Sequence, residues 1–226
     1  MHTEVCFVGV RNMNCADVSV DFENVEVPRG PRASCSTPLS GRFVPRVLNI
    51  LTGPNGSGKS TLLDVVALRV PPSSRARIRW VGCATAVDIA YLPQQLWDVL
   101  DIRVRDLLGL ALGRCHLGPT DAPAALTESL AESRKELGAL SGGQRQLLLF
   151  WLVASQSKRV YIYDEPLRHL DAMASRYVVG MIERQVQNGL LIVVSEHTSE
   201  NHWSVPCDRV ILPTNRTTET KCCRVE

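Results

Sequence analysis

An α/β fold built on a parallel sheet is predicted, and three observations predict it. From about residue 45 onward, short apolar runs that read as strands alternate with stretches of helical periodicity. One strand-to-helix junction carries the glycine-rich string "GPNGSGKST", residues 53–61. A second strand, "VYIYDEP", is apolar or aromatic throughout and ends on two adjacent acids.

Composition narrows the class. The 226 residues suffice for one large domain, or a core with a small insertion. An apolar content of 45% with 21% charged residues is ordinary for a globular chain. A net charge of +2, without a dense run of Lys and Arg, leaves no electrostatic footprint for nucleic acid. The longest apolar runs, "LLLFWLVA" and "LLIVV", fall well short of the roughly 18 residues of a membrane span. The opening "MHTEVCFVGV" lacks the basic start and long apolar stretch of a signal peptide. None of the eight cysteines has CxxC spacing, so they read as small buried residues in a reducing compartment. The closing "CRVE" has Arg where a prenylation box needs an aliphatic residue.

The elements follow in order. "TEVCFVGV" and "DVSVDFENVEV" alternate as strands do. "PRGPRASCSTPLSGRFVPR" reads as loop by its Pro, Ser, Gly and Arg content. "RVLNILTG" is a buried strand, and "KSTLLDVVALRV" a helix stopped by Pro71 and Pro72. "RIRWVG" and "DIAYLP" are further strands. From Asp98 to about Leu137 the pattern is helical, with a break at "GRCHLGPTDAP". "RQLLLFWLVASQ" is a helix, "RVYIYDEP" a buried strand, "AMASRYVVGMIERQVQ" a helix and "GLLIVVSEH" a final core strand. The tail from Thr214 is polar and expected to be loose. No internal repeat is present.

"GPNGSGKST" matches G-x-x-x-x-G-K-[ST] between strand and helix. Gly53, Asn55, Gly56, Ser57 and Gly58 let the backbone N–H groups turn inward around a phosphate. Lys59 reaches the β- and γ-phosphates, Ser60 supplies a hydroxyl for Mg²⁺, and Thr61 continues the helix whose N-terminus adds positive potential. By chance this string arises in roughly one chain of this size per hundred. Asp164 suits Mg²⁺ beside Ser60, and Glu165 is placed to orient and deprotonate an attacking water.

"LSGGQ", residues 140–144, sets Ser141, Gly142 and Gly143 directly before an apolar helix, where they add little to a core. With this string the chain resembles the ATP-binding cassette (ABC) ATPases, over most of residues 45–212. The resemblance implies a RecA-like phosphate-loop NTPase core, an N-terminal antiparallel β subdomain and a short inserted α-helical subdomain at about 96–150. It implies one ABC ATPase domain over 1–213 and a flexible tail over 214–226. It also implies head-to-tail pairing with a second cassette, homo- or heterodimeric. Ser141, Gly142, Gly143 and Gln144 then close over the ATP held by the partner, as a second anion site at a helix start.

The remaining motifs stand in family order. "YLPQQ" resembles the Q-loop, with Gln94 as the residue that senses Mg²⁺ and water, Gln95 being the alternative. "HLD" resembles the D-loop, with Asp171 at the dimer interface. "VVSEH" resembles the switch segment, which brings His197 to the γ-phosphate. A lone His at the end of an apolar strand is ordinarily a satisfied buried residue, and the motif order argues otherwise here. ATP and Mg²⁺ are the implied cofactors.

Some positions depart from the family pattern. Phe22 is the upstream aromatic candidate for stacking on adenine, against a plain core role. Leu147 and Leu152 replace usually basic residues, and Trp151 a small one. Arg168 and His169 stand in the D-loop where small residues are common, which bears on hydrolysis rate. The span from Gln94 to Leu140 is short, so the helical subdomain is trimmed.

The resemblance implies an ATP-hydrolysing subunit of a transporter that works with separate transmembrane permease subunits, peripheral on the cytoplasmic side of a membrane. "DIRVRDLLGLA" resembles the segment after the Q-loop in transporter cassettes, against a plain amphipathic helix. The alternatives are a soluble assembly factor and an ATP-dependent regulator.

Overall fold

The computed structural model describes residues 5–8, 18–26, 38–82, 88–94, 102–112, 136–197, 203–212 and 221–225. Gln95, Cys15, Cys35, Cys83, Cys115 and the break at 113–123 lie outside them. The first strand, β1 (Val5–Val8), runs parallel to β5 (Arg77–Val81), which pairs antiparallel with β2 (Ser19–Glu26). β2 pairs antiparallel with β3 (Pro38–Phe43), giving the order β1-β5-β2-β3. The second sheet holds β4 (Leu48–Thr52), β6 (Ile89–Leu92), β7 (Val160–Asp164), β8 (Leu191–Glu196), β9 (Cys207–Ile211) and β10 (Lys221–Val225). Its order is β10-β9-β4-β8-β7-β6, and all neighbours are parallel except β10 against β9. The predicted α/β class and parallel core are present.

The central strands are buried on both faces, which is why β7 and β8 read as unbroken apolar runs. Side chains alternate between two apolar layers. Val160, Ile162, Leu191 and Val193 join α1 (Lys59–Val66) and the smaller sheet. Tyr161, Tyr163, Ile192 and Val194 face α2 (Val104–Leu112), α3 (Gly142–Ala154) and α4 (Ala172–Gln187). Val104, Leu108, Leu137 and Leu140 lie in that second layer, so the described parts of the helical arm share the core of the sheet. The arm is pinned at its base. Arg103 and Glu136 form an antiparallel bridge, and Leu137 N–H donates to Ile102 O at 2.8 Å.

Several expectations are corrected. The stretch read as loop after Pro28 contains β3, whose only buried positions are Leu39 and Phe43. Two apolar residues four apart are too weak a pattern to read, and cross-strand pairing with β2 decides the conformation. α1 stops at Val66, before Pro71 and Pro72, because Leu68 turns left-handed (φ 59°). Arg69 N–H then closes on Asp64 O and Leu68 N–H on Val65 O, a Schellman end with leucine in the usual glycine position. β8 is not the last strand. β9 follows it, and Lys221–Val225, inside the tail expected to be loose, pairs with β9. Phe22 is fully buried with its ring 5.0 Å from that of Phe43, so it is a core residue and cannot stack on a base.

Candidate nucleotide site

The parallel strands deliver the chemistry to one edge. β4 ends at Thr52 and runs into the glycine-rich loop, β7 ends at Asp164, β8 at Glu196 and β6 at Leu92. Register aligns these ends: Thr52 stands opposite Glu196, Asp164 opposite Ser195, and Leu92 opposite Tyr163. Gln94 follows two residues beyond β6, half-buried at the same edge. This is the carboxyl end of the sheet, where open α/β folds bind ligands.

The loop is shaped for an anion. Gly56 (φ 73°) and Gly58 (φ 94°) take the left-handed conformation, and Gly58 caps α1. Asn55 and Gly56 are exposed, Gly53, Ser60 and Thr61 half-buried, and Ser57 is buried. Lys59 is buried at 5% exposure. Its Nζ donates to Gly53 O (2.7 Å) and Pro54 O (3.2 Å) and meets His197 Nδ1 at 3.4 Å. Burial lowers the lysine pKa, and the charges of Glu165 and Asp164 oppose that shift. All three donors thus have partners, each of them a neutral acceptor that an anionic oxygen would outcompete.

The acids sit differently. Asp164 is 1% exposed, and its Oδ1 accepts from Ser195 Oγ. Burial raises its pKa, against the Ser195 and Ser60 hydroxyls that favour the charged form. Among the described residues, its Oδ2 and Ser57 Oγ are buried without a hydrogen-bond partner. Orphaned hard oxygens next to a phosphate loop fit Mg²⁺, which takes one or two protein oxygens and completes its shell with phosphates and water. Glu165 is 7% exposed with φ 52°, a left-handed backbone unusual outside glycine. Three contacts hold it there. Its N–H donates to Ser195 Oγ (3.0 Å), and its carbonyl accepts from Gln146 Nε2 (3.4 Å) and Arg168 N–H (3.2 Å).

His197 joins the two halves. Its Nε2 meets Glu165 Oε1 and its Nδ1 faces Lys59. A neutral ring protonated on Nε2 satisfies both, donating to the carboxylate and accepting from the ammonium. His197 is 37% exposed at the side chain, so it is no satisfied core histidine.

Ser141, Gly142, Gly143 and Gln144 form the start of α3. Ser141 Oγ accepts from Gln144 N–H (3.2 Å) and Gln144 Oε1 accepts from Ser141 N–H (3.0 Å), a reciprocal capping box. The Ser141 proton is left free to donate. Asp171 is exposed and caps α4 through Oδ1, which accepts from Ala174 N–H at 2.8 Å.

Sequence reasoning missed Ser195 and Gln146. Ser195 is wholly buried and serves both acids. Its signal was a single hydroxyl inside an apolar strand two residues before His197. Gln146 had none, since its contacts lie 19 and 20 residues along the chain, beyond the rest of α3 and the whole of β7.

The comparisons with known proteins agree with this geometry. The family model described as "ABC transporter" matches residues 38–168. The hemin import ATP-binding protein HmuV of Thermobifida fusca is 28% identical over 169 residues, covering 65% of this chain and 57% of that protein. The cytochrome c biogenesis ATP-binding export protein CcmA of Rhizobium johnstonii is 32% identical over 161 residues, covering 66% and 74%. This chain therefore spans little more than half of HmuV, and about three quarters of CcmA. A solved ATP-binding subunit of an ABC transporter superposes with a TM-score of 0.68 at 21% identity, over 90% of this chain and 89% of that one, which shows a shared fold. With that family model matching more than half of its length, the chain belongs to the ABC transporter family.

Proposed function

We propose that the chain is the ATP-binding and ATP-hydrolysing subunit of an ABC transporter, which dimerises head to tail around two ATP and drives separate membrane subunits. The observation that carries this reading is the convergence of Lys59, Asp164, Glu165 and His197 on one sheet edge. Lys59 exchanges its loop carbonyls for the β- and γ-phosphates. Ser60 and Asp164, with Gln94 nearby, would hold Mg²⁺, which would supply positive charge against the phosphates. Glu165 accepts the proton of the attacking water, and His197 fixes the carboxylate and faces the γ-phosphate. The free Ser141 proton and the amides of Gly142 and Gly143 support a second anion site, facing the ATP of the partner cassette, with Asp171 beside it. No helix among the described residues is long and apolar enough to cross a membrane, consistent with a motor peripheral to its permease on the cytoplasmic side. One relative is named for import and another for export, so direction is left unassigned.

Glu165→Gln tests the reading. The variant should bind ATP, lose turnover and accumulate as a nucleotide-bound dimer. Wild-type turnover would pass the role of base to another residue. Purified in mild detergent with ATP from its own cells, it should bring down a polytopic membrane protein at matching stoichiometry. A soluble complex or the cassette alone would favour an assembly or regulatory role.

A further inference from the structure

Glu165 is enclosed, and both of its carboxylate oxygens are engaged. Oε1 meets His197 Nε2, and Oε2 faces Arg168 Nη1 at 3.5 Å. The arginine is brought there by a tight turn, since its own N–H donates to Glu165 O at 3.2 Å. Gln146 grips the same turn through Glu165 O and Pro166 O, both at 3.4 Å, and His169 closes it with a left-handed φ of 63°. The turn thus carries the Arg168 side chain alongside the carboxylate with which it pairs. A base that must take a proton from water works worst when a permanent cation neutralises it. A guanidinium stays charged at any relevant pH.

We infer that Arg168 is a positioning residue that holds the Glu165 carboxylate in an ion pair and so restrains hydrolysis until that pair opens. The inference rests on Glu165 being the base. Arg168 touches neither the loop nor Asp164 among the described contacts, so its effect falls on turnover rather than on nucleotide affinity. Its side chain is 41% exposed, which makes the pair sensitive to salt.

The test is steady-state ATPase kinetics of wild type, Arg168→Ala, Arg168→Lys, Glu165→Gln and the Glu165→Gln/Arg168→Ala double variant, at low and high ionic strength. Arg168→Ala should raise kcat at least threefold with KM for MgATP within twofold, and Arg168→Lys should stay near wild type. Added salt should activate wild type and leave Arg168→Ala unmoved. The double variant should be as inactive as Glu165→Gln. An unchanged or lowered kcat in Arg168→Ala overturns the restraint while leaving the base assignment intact. An equal rise in Arg168→Lys, or a rise in the Glu165→Gln background, also overturns it, because the charge or the carboxylate would then not be the agent. Wild-type turnover in Glu165→Gln overturns the base assignment and the restraint together.

Discussion

The carbonyl oxygen of His169 lies 2.7 Å from where a Cβ on Gly143 would stand. Gly143 is thus a close contact between α3 and the turn that carries Arg168 and His169, alongside the Gln146 bonds to the same turn. Gly143→Ala should push a methyl into backbone that cannot yield, at a loss of about 1–3 kcal/mol of stability. Gly142 has only ordinary contact with the His169 side chain, at 3.9 Å, and its alanine variant should stay within about 0.5 kcal/mol of wild type. Urea unfolding of the two variants checks the difference, and equal midpoints would remove the packing role of Gly143.

Lys59→Ala removes the cation of the loop. Wild type should gain thermal stability with saturating MgATP, by about 2.7 kcal/mol at a hundredfold excess over Kd. The variant should gain none. A shift equal to that of wild type would remove the phosphate cradle assignment.

Asp164 gives a pH dependence. Burial lifts its pKa above the ordinary 3.8. Between those two values the folded chain holds more protons than the unfolded one, so stability falls as pH rises through that window. The ionised carboxylate is therefore a net burden to the fold at neutral pH. Asp164→Asn should be at least as stable as wild type at pH 7, with the advantage shrinking as pH falls toward about 4. Denaturation midpoints across that range check this. A less stable variant at pH 7 would mean that the carboxylate holds the fold together.

Trp151 is 1% exposed in α3, and its indole N–H has no partner. Trp151→Ala should cost about 3–5 kcal/mol. Trp151→Phe removes the orphaned donor along with some volume and should cost roughly half of that or less. Equal losses in calorimetry would show that the indole N–H is satisfied by water.

Much of this was legible, for identifiable reasons. β7 and β8 are buried on both faces, so their sequences are unbroken apolar runs, and the acids and the histidine mark where they emerge. The loop from Gly53 to Thr61 is local, and its glycines and lysine are adjacent in the chain. β3 and β9 were opaque because each fully buries only two positions and is held by pairing rather than by pattern. Ser141 and Gln144 carry a capping signature in plain sight, yet their functional reading overshadowed it. The Glu165–Arg168 pair needs a left-handed backbone at a glutamate, which no propensity foretells.

The Arg103–Glu136 bridge sets two positions far apart in the chain side by side, next to Val104 and Leu137 of the core. With both ends fixed there, doubling the length of a flexible segment between them costs only about 0.6 kcal/mol. An insertion between Leu112 and Glu136 should therefore leave the sheet core intact, which gives the experimenter a place to graft a reporter.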